Sequence, residues 1–543
     1  MITSDVIIAL MFLQDSLPFS HGLTALFIFR NVLALGCVWI TYHLLRAAWN
    51  VSPLHPLSRI PGPKLAAATY LPEIWYDVVK FGRYTKQIEA MHKTYGPIIR
   101  ISPHEVHCND AQFIDEIYAV GGRKRDKPRH QVSGSAMEHS GFATFDHDLH
   151  RNRRIPLAKF FARGQIARLE PQIQELVQRL CDKLLAQTGK IGPIDITMAY
   201  SCFTSDTISD YCFGESFGFL AQESWEPNFR GPLYSLLRTV FIFRFFPYLK
   251  HTTVASSWLL NYLPEATALL IRTLTTDLPK KIKKTKADID AGIVRERPTV
   301  FGELLNSDLP SSEKSVVRLT DEAASVLGGG TETASWTLSV ITYHLLTQPK
   351  TLSKLIKELR DVVDNPQRLP PWTTLEKLPY LDAVIHEGLR LSYGVSARTS
   401  RVPTEESLIY RGTWMPRSSN KPIAVEHVIP QGFAIGMSAV ITHHDESIFP
   451  DSHSFMPERW LDENGERSKD LERALLTFSK GSRACLGMNL AFCELYLTVT
   501  ALALRVYPHM RLFETTEKDV TYDHDMFVPL AKDDSKGVRV IIV

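Results

Sequence analysis

Apolar positions along the 543-residue chain fall into runs that predict many helices and a few short strands. Residues 486–505 form a long apolar run with small residues spread through it, which predicts a buried helix. Residues 320–347 show a second helical pattern, which starts with a capping threonine and ends before a proline. Two β-branched stretches, residues 98–101 and Glu105–Cys108, predict a pair of short strands.

The N-terminal part differs in kind from the rest of the chain. Residues 23–45 form an apolar run that is long enough to span a bilayer. Arg46 and Arg59 follow this run, and such a positive flank predicts that the bulk of the protein stays cytosolic. A cleaved signal peptide is the alternative, but no small-residue cleavage site is evident. We therefore expect residues 1–50 to form a retained, single-pass membrane anchor.

A proline-rich segment follows the anchor. Four prolines fall within residues 53–63, and proline disfavours a helix because it lacks the amide hydrogen and fixes the backbone. We therefore expect residues 51–64 to form a stiff, non-helical hinge between the anchor and the globular part of the chain.

Charge and cysteine content exclude some classes of partner and of fold. The 61 basic residues nearly balance the 59 acidic residues, so nothing favours nucleic acid as a partner. The seven cysteines are scattered without paired spacing, which disfavours a disulfide framework and fits a reducing compartment.

One cysteine has neighbours that give it a chemical role. Residues 478–487 read FSKGSRACLG, and they place Cys485 just before the predicted C-terminal helix, where amide donors and the helix dipole favour a thiolate. Gly481 and Gly487 let the backbone approach a flat molecule closely, and Arg483 can bind a carboxylate through two hydrogen bonds. Haem is a flat molecule that carries carboxylates and can bind a thiolate. A small core residue is the alternative, and it is the usual role of a lone cysteine.

The five specified positions of this segment, F-x-x-G-x-R-x-C-x-G, resemble the haem-binding signature of the cytochrome P450 family. This resemblance implies that Cys485 is the axial ligand of the iron of haem b, that Arg483 pairs with a haem propionate, and that Phe478 packs beside the sulfur. Gly487 belongs to the same cofactor-binding segment. The family fold is one large, mainly α-helical domain with small β-sheets, which we expect over residues 65–543, with residues 414–426 as an inserted surface loop.

A glycine run interrupts the helical pattern of residues 320–347, where residues 328–333 read GGGTET. Each glycine costs about 1 kcal/mol relative to alanine within a helix, so the missing side chains should have a purpose. We expect Gly329 and Gly330 to leave room for a bound molecule; a close crossing of two helices is the alternative. The run resembles the oxygen-binding element of the P450 family, which implies that Glu332 and Thr333 are catalytic residues for proton delivery to oxygen.

The resemblance assigns two further arginines and one turn. In an early helix the family often places a tryptophan and an arginine four residues apart; here Leu149 occupies the tryptophan position, which leaves Arg153 as a propionate ligand. A solvated basic helix face is the alternative. Arg398 aligns with another common propionate ligand. The turn before it would face the substrate through Val395, Ser396 and Ala397.

Glu387 and Arg390 lie three residues apart, and so they share one face of a predicted helix. On their own they would form a modest surface ion pair. They resemble the E-x-x-R element of the family, and Arg459 lies in a segment that resembles its P-E-R-F element. The resemblance implies a buried Glu–Arg–Arg network under the haem-binding loop.

Together these features predict a haem-thiolate monooxygenase that inserts one atom of O2 into a lipophilic secondary metabolite. The chain contains no nucleotide- or flavin-binding fingerprint, so its electrons would come from NADPH through a separate cytochrome P450 reductase. Residues 443–460 and 478–496 are most similar to fungal secondary-metabolism members, including trichodiene-oxygenase-like enzymes, which implies a terpenoid substrate. Anchoring would place the enzyme at the endoplasmic reticulum membrane. A haem-thiolate isomerase or dehydratase and a non-catalytic haem-binding protein remain as alternatives.

Overall fold

Helices dominate the computed structural model, which describes residues 21–190, 192–249, 264–293, 297–416 and 421–543. The α-helices of these residues are, in chain order, α1 (His21–Val51), α2 (Lys64–Ala68), α3 (Leu71–Ile74), α4 (Tyr84–Tyr95), α5 (Ile114–Ile117), α6 (Arg129–Val132), α7 (His147–Phe160), α8 (Arg163–Leu185), α9 (Ile196–Phe213), α10 (Arg230–Phe245), α11 (Glu265–Arg272), α12 (Leu278–Asp290), α13 (Val300–Asn306), α14 (Val316–Thr347), α15 (Pro349–Arg360), α16 (Trp372–Leu375), α17 (Pro379–Ser392), α18 (Ala439–Thr442) and α19 (Met488–Arg505).

Short strands form four small sheets in the described part of the chain. The strands are β1 (Ile98–Ser102), β2 (Glu105–Cys108), β3 (Arg125–Asp126), β4 (Ile194–Asp195), β5 (Thr399–Pro403), β6 (Leu408–Trp414), β7 (Ile423–Ile429), β8 (Ala434–Met437), β9 (Met510–Leu512), β10 (His524–Met526), β11 (Val528–Leu530) and β12 (Arg539–Ile542). The largest sheet has the order β1-β2-β8-β5-β3, with β2 and β8 parallel. The prediction of a mainly α-helical fold with small sheets is confirmed, as is the antiparallel pairing of β1 with β2.

The long helix α14 runs through the main hydrophobic core. Ser315 caps it, its hydroxyl accepting a hydrogen bond from the amide of Arg318, so the helix begins four residues before the predicted start. The helix α19 also lies in this core, and its buried face includes Leu497 and Leu502. These two helices therefore hold the cysteine loop and the glycine run in fixed positions.

The N-terminal helix α1 lies outside the core. Its segment Ile28–Val51 has a mean hydropathy of 1.4, and its most apolar 18 residues are not buried, whereas α19, the other helix of sufficient length and hydropathy, is 67% buried. The predicted hinge that follows is non-helical up to α2, but it is fastened to the sheet. Leu57 is fully buried, and the amide of Arg100 in β1 donates a 2.7 Å hydrogen bond to the carbonyl of Pro61.

The expected surface loop at residues 414–426 is instead part of a β-hairpin. Strands β6 and β7 pair in continuous antiparallel register from Leu408 opposite Ile429 to Trp414 opposite Ile423. The prediction of a loop is therefore wrong for both ends of this segment; residues 417–420 lie outside the described part of the chain.

Candidate functional site

The cysteine loop is fixed by its backbone. The amide of Cys485 donates a 2.8 Å hydrogen bond to the carbonyl of Phe478, and the amide of Gly487 is hydrogen-bonded to the cysteine sulfur. Gly481 has a φ of +76°, and a Cβ at this position would lie 2.2 Å from the carbonyl oxygen of Tyr118. Only glycine fits this close approach to the backbone of Tyr118, and the approach of Gly481 to a flat molecule stays a prediction.

Cys485 combines a deep position with an accessible side chain. Many protein atoms surround the residue, but part of its surface is accessible. Burial raises the pKa of the Cys485 thiol, while the amide of Gly487 and the charge of Arg154 oppose this shift. A helix N-terminus favours the thiolate form of Cys485, but burial of the side chain by the protein favours the thiol and has the larger effect. A bound metal ion would be needed to hold the thiolate.

The helix α14 exposes residues of its glycine-rich middle part. Val326, Gly329, Gly330 and Thr333, which we call the distal stripe, are partly or largely accessible, as are the neighbouring Ser325 and Gly328, whereas Leu327, Thr331 and Glu332 are buried. A Cβ added to Gly329 would meet no atom within 4 Å. A Cβ added to Gly330 would lie 2.8 Å from a side-chain carbon of Ile208 in α9. Gly329 therefore leaves open space, and Gly330 permits the helix crossing that was the alternative explanation.

The two predicted catalytic residues point to different sides of α14. The Thr333 hydroxyl donates a 2.8 Å hydrogen bond to the carbonyl of Gly329. The carboxyl of Glu332 is only 2% exposed and faces α10, where it accepts a 2.5 Å hydrogen bond from the hydroxyl of Tyr234. Arg230 Nε lies 3.4 Å from the same carboxyl oxygen. Burial raises the pKa of Glu332, and the charge of Arg230 and the Tyr234 hydroxyl offset part of this rise.

Arg483 lies in a cluster of positive charge. It donates hydrogen bonds to the carbonyls of Thr144 and Phe145, at 2.8 and 2.7 Å. Burial, together with the nearby charges of Arg401 and Arg154, lowers the pKa of Arg483 to about 9. The cationic cluster, as we call this group, consists of Lys127, Arg154, Arg401 and Arg483. His150 lies beside it, and burial together with the charges of the cluster lowers its pKa to about 2, so its imidazole is neutral.

Among the described residues, the charges of the cationic cluster have no ion-pair partner. In the part of the chain that the structure describes, no carboxylate lies within 4.0 Å of the cationic atoms of Lys127, Arg154, Arg401 or Arg483. Asp126 and Asp146 are the acids whose charges act on Arg483 from farther away. Such an arrangement of buried positive charge suits an anionic ligand, since unpaired buried charges are otherwise costly.

The structure places two predicted propionate ligands outside this cluster. Arg153 forms a two-pronged ion pair with Glu313, with nitrogen–oxygen distances of 2.8 and 2.9 Å. Arg398 is buried in a different acidic group, 2.5 Å from Glu73 and 3.0 Å from Glu105. These contacts differ from the predicted roles, because both guanidinium groups are already neutralised by carboxylates of the protein.

The predicted substrate-facing turn is held by the β10–β11 hairpin. The amide of Ser396 donates a 3.1 Å hydrogen bond to the carbonyl of Phe527, and the amide of Ala397 donates to the same oxygen at 3.4 Å. Ser396 and Ala397 are buried, whereas Val395 is half-buried. The turn therefore has a fixed backbone, and Val395 is its more accessible side chain.

The Glu–Arg–Arg network is present and fully buried. Both oxygens of Glu387 accept hydrogen bonds from Arg390, at 2.8 and 2.9 Å, and Arg459 Nε donates to one of them at 3.1 Å. The indole of Trp460 and the amide of Met456 also donate to this carboxylate. Arg390 further donates to backbone carbonyls in the segment that precedes Arg459, so the network ties α17 to that segment.

Sequence reasoning missed several residues of the site. His150 and Arg154 have the same spacing of four as Leu149 and Arg153, and Arg401 lies three positions after Arg398, so these basic residues were visible in the sequence but were not singled out. Tyr234 gave no signal, because it lies 98 residues away from its partner Glu332.

Known proteins with similar sequences agree with this geometry. Residues 68–507 match the family described as Cytochrome P450. The cytochrome P450 monooxygenase ppzE of Metarhizium majus is 43% identical, over 80% of this chain and 92% of the relative. Conidiogenone synthase PchP450 of Penicillium rubens is 37% identical, over 90% and 94% of the two chains. N-acetyltryptophan 6-hydroxylase ivoC of Emericella nidulans is 34% identical, over 90% and 92%. The chain therefore belongs to the cytochrome P450 family, as a monooxygenase of the fungal secondary-metabolism type.

Proposed function

We propose that the protein binds haem b through Cys485 and inserts one atom of O2 into a lipophilic secondary metabolite of the terpenoid class. The observation that carries this proposal is the accessible sulfur of Cys485, which lies beside buried cationic groups without ion-pair partners in the described residues. A thiolate ligand and two propionate-binding positions are what a haem requires.

The residues of the site fit a haem. Cys485 would provide the iron ligand, and Gly487 would donate a hydrogen bond to its sulfur. Arg483, Arg401 and Arg154 would hold the propionates. A haem bound in this way supplies an iron that activates O2, and its thiolate ligand favours O–O cleavage.

The chain itself supplies space and protons on the distal side. Gly329 leaves room beside the helix backbone, and Val326 adds an apolar wall that keeps bulk water away. The Thr333 hydroxyl can donate a hydrogen bond toward this space once it releases the carbonyl of Gly329. Glu332, whose carboxyl accepts the hydrogen bond of the Tyr234 hydroxyl on the α10 side, can take up a proton and pass it toward Thr333 through water.

A lipophilic substrate fits the character of the distal stripe. Thr333 is its single polar side chain, beside Val326 and two glycines. The relatives' names cover more than one compound class, since one of them is an N-acetyltryptophan hydroxylase. Our choice of a terpenoid follows the resemblance to trichodiene-oxygenase-like enzymes.

The exposed apolar helix α1 supports an anchor over residues 1–50. The hinge over residues 51–64 and a catalytic domain over residues 65–543 would follow it. We propose that the anchor holds the protein at the endoplasmic reticulum membrane with the catalytic domain in the cytosol. Electrons would come from NADPH through a cytochrome P450 reductase.

The test is the spectrum of the purified, reduced protein under carbon monoxide. We expect the red-shifted Soret band of thiolate ligation, and NADPH oxidation that depends on added reductase. A protein that bound haem without this band would refute the ligand assignment. A protein that showed the band and converted peroxide without reductase or NADPH would instead be the isomerase or dehydratase.

A further inference from the structure

The carboxyl group of Glu332 is held from one side only. Its Oε1 atom accepts the 2.5 Å hydrogen bond from the Tyr234 hydroxyl and lies 3.4 Å from Arg230 Nε. Its Oε2 atom is buried and has no hydrogen-bond partner among the described residues. A buried carboxyl oxygen without a partner is costly unless a ligand or water uses it. The group is thus fixed through Oε1, while Oε2 is available for a second partner.

A chain of polar groups leads from this carboxyl group toward solvent. Arg230 and Tyr234 are one turn apart at the start of α10, and Arg230 Nη2 lies 3.4 Å from the Tyr234 hydroxyl. The Arg230 Nη1 atom lies 3.6 Å from a carboxyl oxygen of Asp195. Side-chain exposure rises from 2% at Glu332 to 21% at Arg230 and 14% at Asp195. The buried acid is therefore connected to a partly exposed ion pair.

We propose that Tyr234 is a positioning residue of the monooxygenase reaction: its hydroxyl directs the carboxyl of Glu332 toward α10 and stabilises its ionised form, and the Arg230–Asp195 pair connects this carboxyl to solvent. The inference rests on the proposed function, because Glu332 serves oxygen reduction only in that reaction. Tyr234 contacts Glu332 and Arg230, and we assign its effect on the reaction to the contact with Glu332.

Removal of the hydroxyl has a defined consequence for the acid. Burial already raises the pKa of Glu332, and the Tyr234 hydroxyl is one of the two groups that oppose this rise. Without it the pKa of Glu332 moves higher. A reaction rate that needs the protonated acid falls as the pH rises above this pKa. The alkaline side of the pH–rate profile should therefore shift to higher pH in the variant. Loss of one hydrogen bond to a charged group predicts a shift of about one pH unit.

The experiment compares Tyr234→Phe with Tyr380→Phe in the holoenzyme. Tyr380 is a matched control, because it is also buried and donates a 3.0 Å hydrogen bond to a carboxylate, that of Glu458, outside the site. The probe is NADPH oxidation by the reductase-coupled enzyme without added substrate, measured across a pH series in H2O and D2O. We expect the alkaline limb to shift and the solvent isotope effect to rise in Tyr234→Phe alone.

A second comparison separates positioning from general loss of structure. In a Glu332→Gln background, Tyr234→Phe should cause no further shift of the alkaline limb, since the group through which it acts is gone. An unchanged limb in Tyr234→Phe, an equal shift in Tyr380→Phe, or a shift that persists in Glu332→Gln would overturn the proposal.

Thermal unfolding tests the same contact without turnover. A carboxyl group whose folded pKa is raised stabilises the fold at low pH, and this contribution is lost as the pH rises through the folded pKa. The stability difference between wild type and Tyr234→Phe should therefore grow as the pH rises, and a constant difference would contradict the inference. A wild-type protein without the thiolate Soret band would refute the proposed function, whereas the unfolding comparison would still decide the role of Tyr234.

Discussion

Replacement of Glu387 by glutamine should weaken the fold far more than the small change in shape implies. The Glu387 and Arg390 side chains are both fully buried, and Glu387 accepts hydrogen bonds from two arginines, one indole and one backbone amide. Glu387→Gln keeps the size of the side chain and removes its charge, so the buried guanidinium of Arg390 loses its counter-ion. Removal of one partner of a buried pair costs about 3–5 kcal/mol.

The assay is the thermal unfolding midpoint of the holoenzyme, followed by circular dichroism together with haem content. Unfolding entropy is roughly 2.1 cal/mol/K per residue, so for this chain of 543 residues a loss of that size lowers the midpoint by about 3–4 °C. The matched control is Glu426→Gln, because Glu426 pairs with Arg411 at the surface, where their side chains are 57% and 68% exposed. We expect the control to shift by less than about 1 °C. An equally small shift in Glu387→Gln would show that the network is not a source of stability.

Three further changes test the site. Gly330→Ala should destabilise the protein by about 1–3 kcal/mol, because the added Cβ would collide with the side chain of Ile208. Gly329→Ala should instead stabilise the helix by about 1 kcal/mol, because its Cβ meets no atom. Equal unfolding midpoints of the two variants would contradict the separate roles of the two glycines. Arg401→Met should weaken haem binding about 10- to 100-fold in a haem titration, because a charge-assisted hydrogen bond to a propionate is lost. Arg153→Met should leave haem binding unchanged, because Arg153 pairs with Glu313. If Arg153→Met weakened haem binding and Arg401→Met did not, Arg153 would be the propionate ligand, as the sequence predicted. Cys485→Ser should abolish the red-shifted Soret band under carbon monoxide, and a retained band would mean that another residue ligates the iron.

The features that were predictable from sequence depend on residues that are close together along the chain. The pairing of β1 with β2, the helix α17 and the contact between Glu387 and Arg390 all follow from spacings of a few residues. The helix α14 was also recognised, because periodic apolar positions outweigh a short glycine run. Its start was misplaced, since Ser315 and Thr320 are both capable caps and only the observed hydrogen bond distinguishes them.

Features that depend on distant packing could not be predicted. The partner of Glu332 is on α10, and nothing in the sequence near either residue indicates that these helices meet. The β6–β7 hairpin was missed because its strands lie on a largely exposed surface with few buried positions, and no tight turn sequence marks it. The role of Gly330 needed the position of Ile208, which only the crossing of α9 and α14 supplies.

The choice between Arg153 and Arg154 depends on the rotation of α7 about its axis. Both arginines belong to pairs separated by four residues, so spacing alone does not distinguish them. The buried residues of α7 are His147, His150 and Leu157, and Arg154 completes this stripe with spacings of three, four and three. The stripe faces the core, so Arg154 is carried into the cationic cluster, and Arg153, about 100° further round the helix, reaches Glu313 instead. If each arginine is compared with the helical spacing of the other inward-facing residues of α7, and not with a single residue four positions away, the sequence alone indicates that Arg154 faces inward.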